Sequence, residues 1–166
     1  IAEPGYDALE VLLKNSNYNK DNDKCFAVSH EFMGIPFVLK VIMEGRDDIK
    51  TVFYAHEVAS VRPLVESHPG HDTMFYNVLD AGLARGQYLE DIFGPQDHFF
   101  KNVLIKNTKK CDKIFAVGDA VVKELRFLDS GLRDKSIDLV YNGIPAFEIS
   151  VDETTKSKKK LQTYAD

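Results

Sequence analysis

The run KTVFYAHEV, residues 50–58, decides how the chain is read. Its first half is crowded with β-branched and aromatic residues, which predicts a strand. It then turns polar at His56 and Glu57. In an open parallel sheet, ligands sit beyond the carboxyl ends of the strands. An apolar run that stops on a histidine and a glutamate fits that arrangement.

The same pattern recurs on both sides. CFAVSH, 25–30, is a short strand that runs into His30 and Glu31, and KIFAVG, 113–118, is one that runs into Gly118 and Asp119. IDLVYNG, 137–143, ends on Asn142-Gly143 before Ile144-Pro145. Both Asn and Gly tolerate left-handed backbone, so the pair predicts a tight turn closing a strand.

Helical patterns lie between these runs. YDALEVLLKNSNY, 6–18, carries apolar residues at helical spacing. A helix is expected over 36–43, with Pro36 in its first turn. SVRPLVESHPGHD, 60–72, reads as loop, and 73–88 as helix through Phe75, Leu79 and Leu83. HFFKNVLIKNTKKC, 98–111, and DAVVKELRFLD, 119–129, read as helices, with SGLRDKS, 130–136, as a turn. Alternation of this kind predicts an α/β fold, a three-layer Rossmann-like parallel sheet with helices on both faces. The excursion over 60–97 exceeds what a minimal strand-to-helix connection needs, and long ordered excursions tend to carry function.

Composition narrows the class. Hydrophobic residues make up 44% and charged residues 28%, an ordinary globular balance. The net charge of −5 argues against nucleic acid as a partner, since that needs basic surface. No apolar run reaches the roughly 18 residues of a membrane span. The two cysteines, Cys25 and Cys111, each open an apolar run and read as core residues, which suits a reducing, cytoplasmic setting. The chain opens on Ile1 and closes on a polar run, so it reads as a piece of a longer protein.

The candidate site follows from the strand ends. His56 leads: it can hydrogen-bond a sugar hydroxyl or phosphate, or exchange a proton near neutral pH. The alternative is a strand-end histidine bonded to backbone. His30, Glu31 and Glu57 offer similar chemistry, although Glu31 also suits a helix start on charge alone. HPGH, 68–71, spaces two histidines three apart with no cysteine or carboxylate cluster beside them, so no metal is expected. No GxGxxG, GxxxxGK[ST] or GxSxG occurs.

Taken in order, these residues resemble a family. SHEFMGIPFVLKV followed by KTVFYAHEV resembles the acceptor-side domain of glycogen and starch synthases and related retaining glycosyltransferases built from two Rossmann-like domains, the GT-B type. His30, Glu31, Phe32 and Gly34 stand where that family has His, an acidic residue, Trp and Gly. Ala55-His56, KKCDKIFAVGDAVVKEL at 109–125, MFYN at 74–77 and Tyr141-Asn142-Gly143-Ile144-Pro145 follow in family order. Phe32 replaces a tryptophan, and Gly118 replaces a serine. The family's phosphate-binding glycine loop and its paired donor-side glutamates have no counterpart here.

The resemblance implies transfer of a sugar from a nucleotide-sugar donor to the hydroxyl of a glycan or other acceptor, with retention and without metal or other cofactor. It implies His56 as the catalytic contact. His30, Glu31, Glu57, Arg62, Asn142 and Gly143 would bind substrate. Residues 1–148 would be the later portion of the N-terminal domain, and 149–166 would lead to a second domain, so the piece alone would be inactive. A non-catalytic α/β binding module and a nucleotide-sugar epimerase domain are the alternatives.

Overall fold

A computed structural model of the chain describes residues 1–143 and 150–165. Among the described residues, four strands form one sheet in the order β1-β2-β3-β4: Cys25–His30, Ile49–Ala55, Lys113–Ala116 and Ile137–Leu139. All three pairings are parallel. The α-helices of the described residues are α1 Ala2–Asn15, α2 Glu31–Met43, α3 Arg62–Ser67, α4 His71–Arg85, α5 Leu89–Phe93, α6 Phe100–Asn107, α7 Asp119–Leu128, α8 Ser130–Arg133 and α9 Val151–Ala165. The result is a parallel sheet flanked by helices, a Rossmann-like α/β arrangement. The boundary expected at 148, and Ile144-Pro145, lie outside the described residues.

The core explains the strand runs. Ala27, Ile49, Phe53, Ala55, Ile114 and Ala116 point into it. There they meet Ile35, Val38 and Val41 of α2, Phe75 and Leu79 of α4, and Leu125, Phe127 and Leu128 of α7. The two faces are covered unequally. Along β1, Ala27 and Ser29 are buried, whereas Phe26 and Val28 keep 59% and 47% of their surface exposed. Successive strand residues point to opposite faces, so one side of β1 packs on α2 and the other stays open.

Several local readings change. α2 starts at Glu31, five residues before the expected 36, with Pro36 inside it. Burial of Ile35 and close packing of the first turn on β1 outweigh the hydrogen bond that proline forfeits. The stretch read as loop holds α3, whose Pro63 sits in the first turn, where its missing N–H costs nothing. The expected turn at 130–136 contains α8, capped by Asp129, which accepts from the Gly131 N–H. β4 stops at Leu139, and Asn142-Gly143 form no left-handed turn: neither has positive φ. Beyond β4 the Val140 carbonyl accepts from the Tyr54 hydroxyl. The polar tail forms α9, exposed through Lys160.

Two contacts fix the sheet's geometry. At the amino ends of β2 and β3, the Asp112 carboxylate accepts from the Thr51 N–H and hydroxyl, both at 2.8 Å, while the Asp112 N–H returns a bond to Thr51 Oγ1. Burial alone would raise this carboxyl's pKa, but the bonds from Thr51, with help from Lys50, hold it below the usual carboxylate value. At the carboxyl end of β1, Gly34 lets α2 approach the strand. A Cβ there would lie 2.7 Å from Ser29 Oγ and 3.1 Å from Ser29 Cα.

Gly34→Ala is therefore expected to lower unfolding free energy by about 1–3 kcal/mol, the usual cost of overpacking. A urea melt measures it. An unchanged midpoint would mean that α2 can shift away from β1 without loss.

Candidate functional site

Parallel pairing brings all the strand ends to one rim. His30 is the last residue of β1, and His56 follows β2 directly. Gly118 lies two residues past β3, and Asn142 three past β4. The register pairs His30 with Tyr54, and Tyr54 and His56, two apart, share a face of the strand. The three rings form one cluster. Tyr54 lies 4.5 Å from His56 and 5.1 Å from His30, centroid to centroid. His30 Nδ1 and His56 Nε2 are 3.4 Å apart. His30 is exposed and His56 half-buried.

Tyr54 joins this cluster to the last strand. Its hydroxyl donates to the Val140 carbonyl at 2.7 Å and lies 3.4 Å from Asn142 Oδ1. Tyr141 reaches the other way and donates to Asp119 Oδ2, at the start of α7. Gly143 is exposed, with open space where a Cβ would project. Tyr54 is the residue that sequence reasoning missed, because TVFYA reads as uniform core. Counting alternate positions back from His56 finds it.

Glu31 organises the rim. Its φ of +59° puts a non-glycine residue in the left-handed region, at the joint between β1 and α2. That turn aims Oε1 at the backbone beyond β2, where it accepts from the N–H groups of both His56 and Glu57. The Ser29 hydroxyl steadies the joint by donating to the Glu31 carbonyl at 2.8 Å. Glu31 thus positions His56 through its main chain. Gly118, at the start of α7, has extended backbone and no neighbour within 4 Å of a Cβ position, so the conformation there does not require glycine.

Glu57 and Arg62 belong to a neighbouring cavity. Arg62 pairs with Glu57 at 3.3 Å and with Glu66 at 2.9 Å. These three, with Asp72, Tyr76 and Glu124, line a cavity of about 230 Å³. Glu124 is half-buried there and accepts from the Tyr76 hydroxyl. Burial pushes its carboxyl pKa up, Glu57 and Asp72 add to the rise, and the bonds from Tyr76 and the Val58 N–H only partly offset it. The site thus divides in two, an aromatic and histidine rim and a carboxylate-lined cavity beside it.

Cys25 and Cys111 are both unpaired, and burial pushes the Cys111 thiol up to about 11, which leaves it unreactive at neutral pH. Among the described residues, no three or more His, Cys, Asp or Glu side chains are grouped to hold a metal ion. None of their helices is long and apolar enough to cross a membrane. Compared with known proteins, the chain matches no family model, no curated protein and no solved structure.

Two substitutions at Glu31 separate its roles. Glu31→Ala loses the carboxylate that binds two amides and is expected to cost about 2 kcal/mol. Glu31→Gly loses the same bonds but relaxes the left-handed backbone, so it should be about 1 kcal/mol less destabilised. Equal melts for the two variants would show that the backbone at Glu31 is unstrained.

Glu124 gives a pH test. Its folded-state pKa lies above the ordinary glutamate value, so folding disfavours the ionised form. Its contribution to stability therefore falls as pH rises from the ordinary glutamate range through the raised value. Glu124→Gln is expected to melt above the parent at pH 7.5, with the gap closing toward pH 4. A gap that widens on acidification would reverse the sign assigned here.

Proposed function

We propose that the chain forms the acceptor-side domain of a retaining glycosyltransferase that uses a nucleotide-sugar. The observation that carries this reading is the convergence of His30, Tyr54, His56 and Asn142 on the carboxyl rim of a parallel sheet, where such folds bind ligands. The resemblance of SHEFMGIP and FYAHEV to that enzyme class supports the same reading. The two unpaired cysteines accord with a cytoplasmic setting.

In this reaction the bond between the donor sugar and the diphosphate breaks, and the nucleoside diphosphate leaves with the bonding electrons. The acceptor oxygen forms the new glycosidic bond and gives up its proton to an oxygen of the departing diphosphate. His56 would hydrogen-bond a hydroxyl of the transferring sugar and hold it in a reactive orientation. The His30 ring nitrogen beside it would set which His56 nitrogen carries the proton. Glu31 fixes His56 through the backbone, and Tyr54 buttresses both rings. Asn142, its Oδ1 toward Tyr54, would turn its amide N–H groups to the ligand. Glu57 and Arg62, at the cavity mouth, would meet acceptor hydroxyls. The groups for the departing diphosphate would come from a second domain.

His56→Ala in the full-length protein is expected to lower turnover by about 10²–10⁴-fold. Its unfolding free energy should move by about 1 kcal/mol or less, the scale of an aromatic edge contact. The assay is release of nucleoside diphosphate from a panel of nucleotide-sugars with glycan acceptors, run beside a thermal melt. Near-parental turnover would remove His56 from the site. Lost turnover with a collapsed melt would make it a structural residue of the strand end.

A further inference from the structure

We infer that His30 and His56 form a two-histidine chelate for a divalent transition cation of the zinc, nickel or cobalt class. Their facing nitrogens, His30 Nδ1 and His56 Nε2, stand 3.4 Å apart. With zinc–nitrogen bonds of about 2.0–2.1 Å, a cation bound to both would subtend an N–M–N angle of roughly 110°. That is the tetrahedral bite, so the two rings already stand at chelating distance.

The surroundings favour such a site over a chance approach. Glu31 locks the His56 backbone through the His56 and Glu57 N–H groups. His30 is held in register with Tyr54 by the parallel pairing. The Tyr54 ring, tilted 51° to His56 and 66° to His30, packs against both. Ligands fixed in advance lose little freedom when the ion binds. His30 is exposed, so an ion can enter from solvent. Imidazole nitrogen suits zinc, copper and nickel better than calcium or magnesium. With two protein ligands the remaining positions fall to water or to an incoming ligand, which makes the ion exchangeable. Binding neither requires sugar transfer nor implies it.

The test is calorimetric titration of the 166-residue chain with zinc chloride, with cobalt chloride as the spectroscopic counterpart. One zinc per chain and visible bands of tetrahedral intensity from cobalt are expected. His30→Ala and His56→Ala should each weaken binding by more than the roughly 10–100-fold that loss of an outer-shell partner costs. The double variant His68→Ala/His71→Ala should bind as the parent does. Zinc-induced shifts of the assigned His30 and His56 imidazole signals in the parent chain give the same answer without any variant. Absence of saturable binding, undiminished binding in both single variants, or shifts confined to His68 and His71 would overturn the site.

Discussion

One carboxylate oxygen holds the rim together. Glu31 Oε1 accepts from two consecutive amides beyond β2, so the end of the first strand is clamped to the end of the second. The clamp works only because the backbone at Glu31 turns left-handed, and that turn is sustained by Ser29 on one side and the close seat of Gly34 on the other. Everything on the rim inherits this geometry. His56 is placed by its own main chain, His30 sits opposite Tyr54 by register, and Tyr54 carries the alignment on to Val140 and Asn142. Loss of one oxygen would therefore be felt across three strands.

The strands and the residues at their ends were legible because both signals are local. Apolar runs such as CFAVSH and TVFYA mark the strands, and the polar residue after each run marks the rim. What escaped depends on distant partners. Pro36 argued for a helix starting there, and burial of Ile35 against the sheet moved the start to Glu31. Asn142-Gly143 carries one of the strongest local preferences for left-handed backbone, yet neither residue has positive φ, and the Tyr54 hydroxyl meets Asn142 Oδ1 from 88 residues away. Glutamate, by contrast, has no local reason to turn left-handed at position 31. Glu124 on an amphipathic helix reads as a solvated charge, and only the approach of α4 puts Tyr76 over it.

The site's two parts ask different things of a ligand. The rim presents ring nitrogens, a phenol and an amide on rigid strand ends, which suits orientation of a polar group. The cavity beside it gathers four carboxylates, Glu57, Glu66, Asp72 and Glu124, around the one guanidinium of Arg62, which pairs with Glu57 and Glu66 and leaves the lining with an excess of negative charge.

The strand order has a kinetic side. Because the sheet runs β1-β2-β3-β4, each strand pairs only with its neighbours in sequence, and no pairing waits on a distant end of the chain. The loops are far from equal, however. β1 and β2 meet across α2 alone, with partners such as Cys25 and Ile49, whereas the Thr51–Asp112 clasp spans 61 residues. Closing that excursion carries the largest loop entropy in the sheet, since four α-helices, α3 to α6, lie between β2 and β3 in sequence. The β2-β3 pairing is therefore the contact of greatest sequence separation in the sheet, the kind whose closure slows folding.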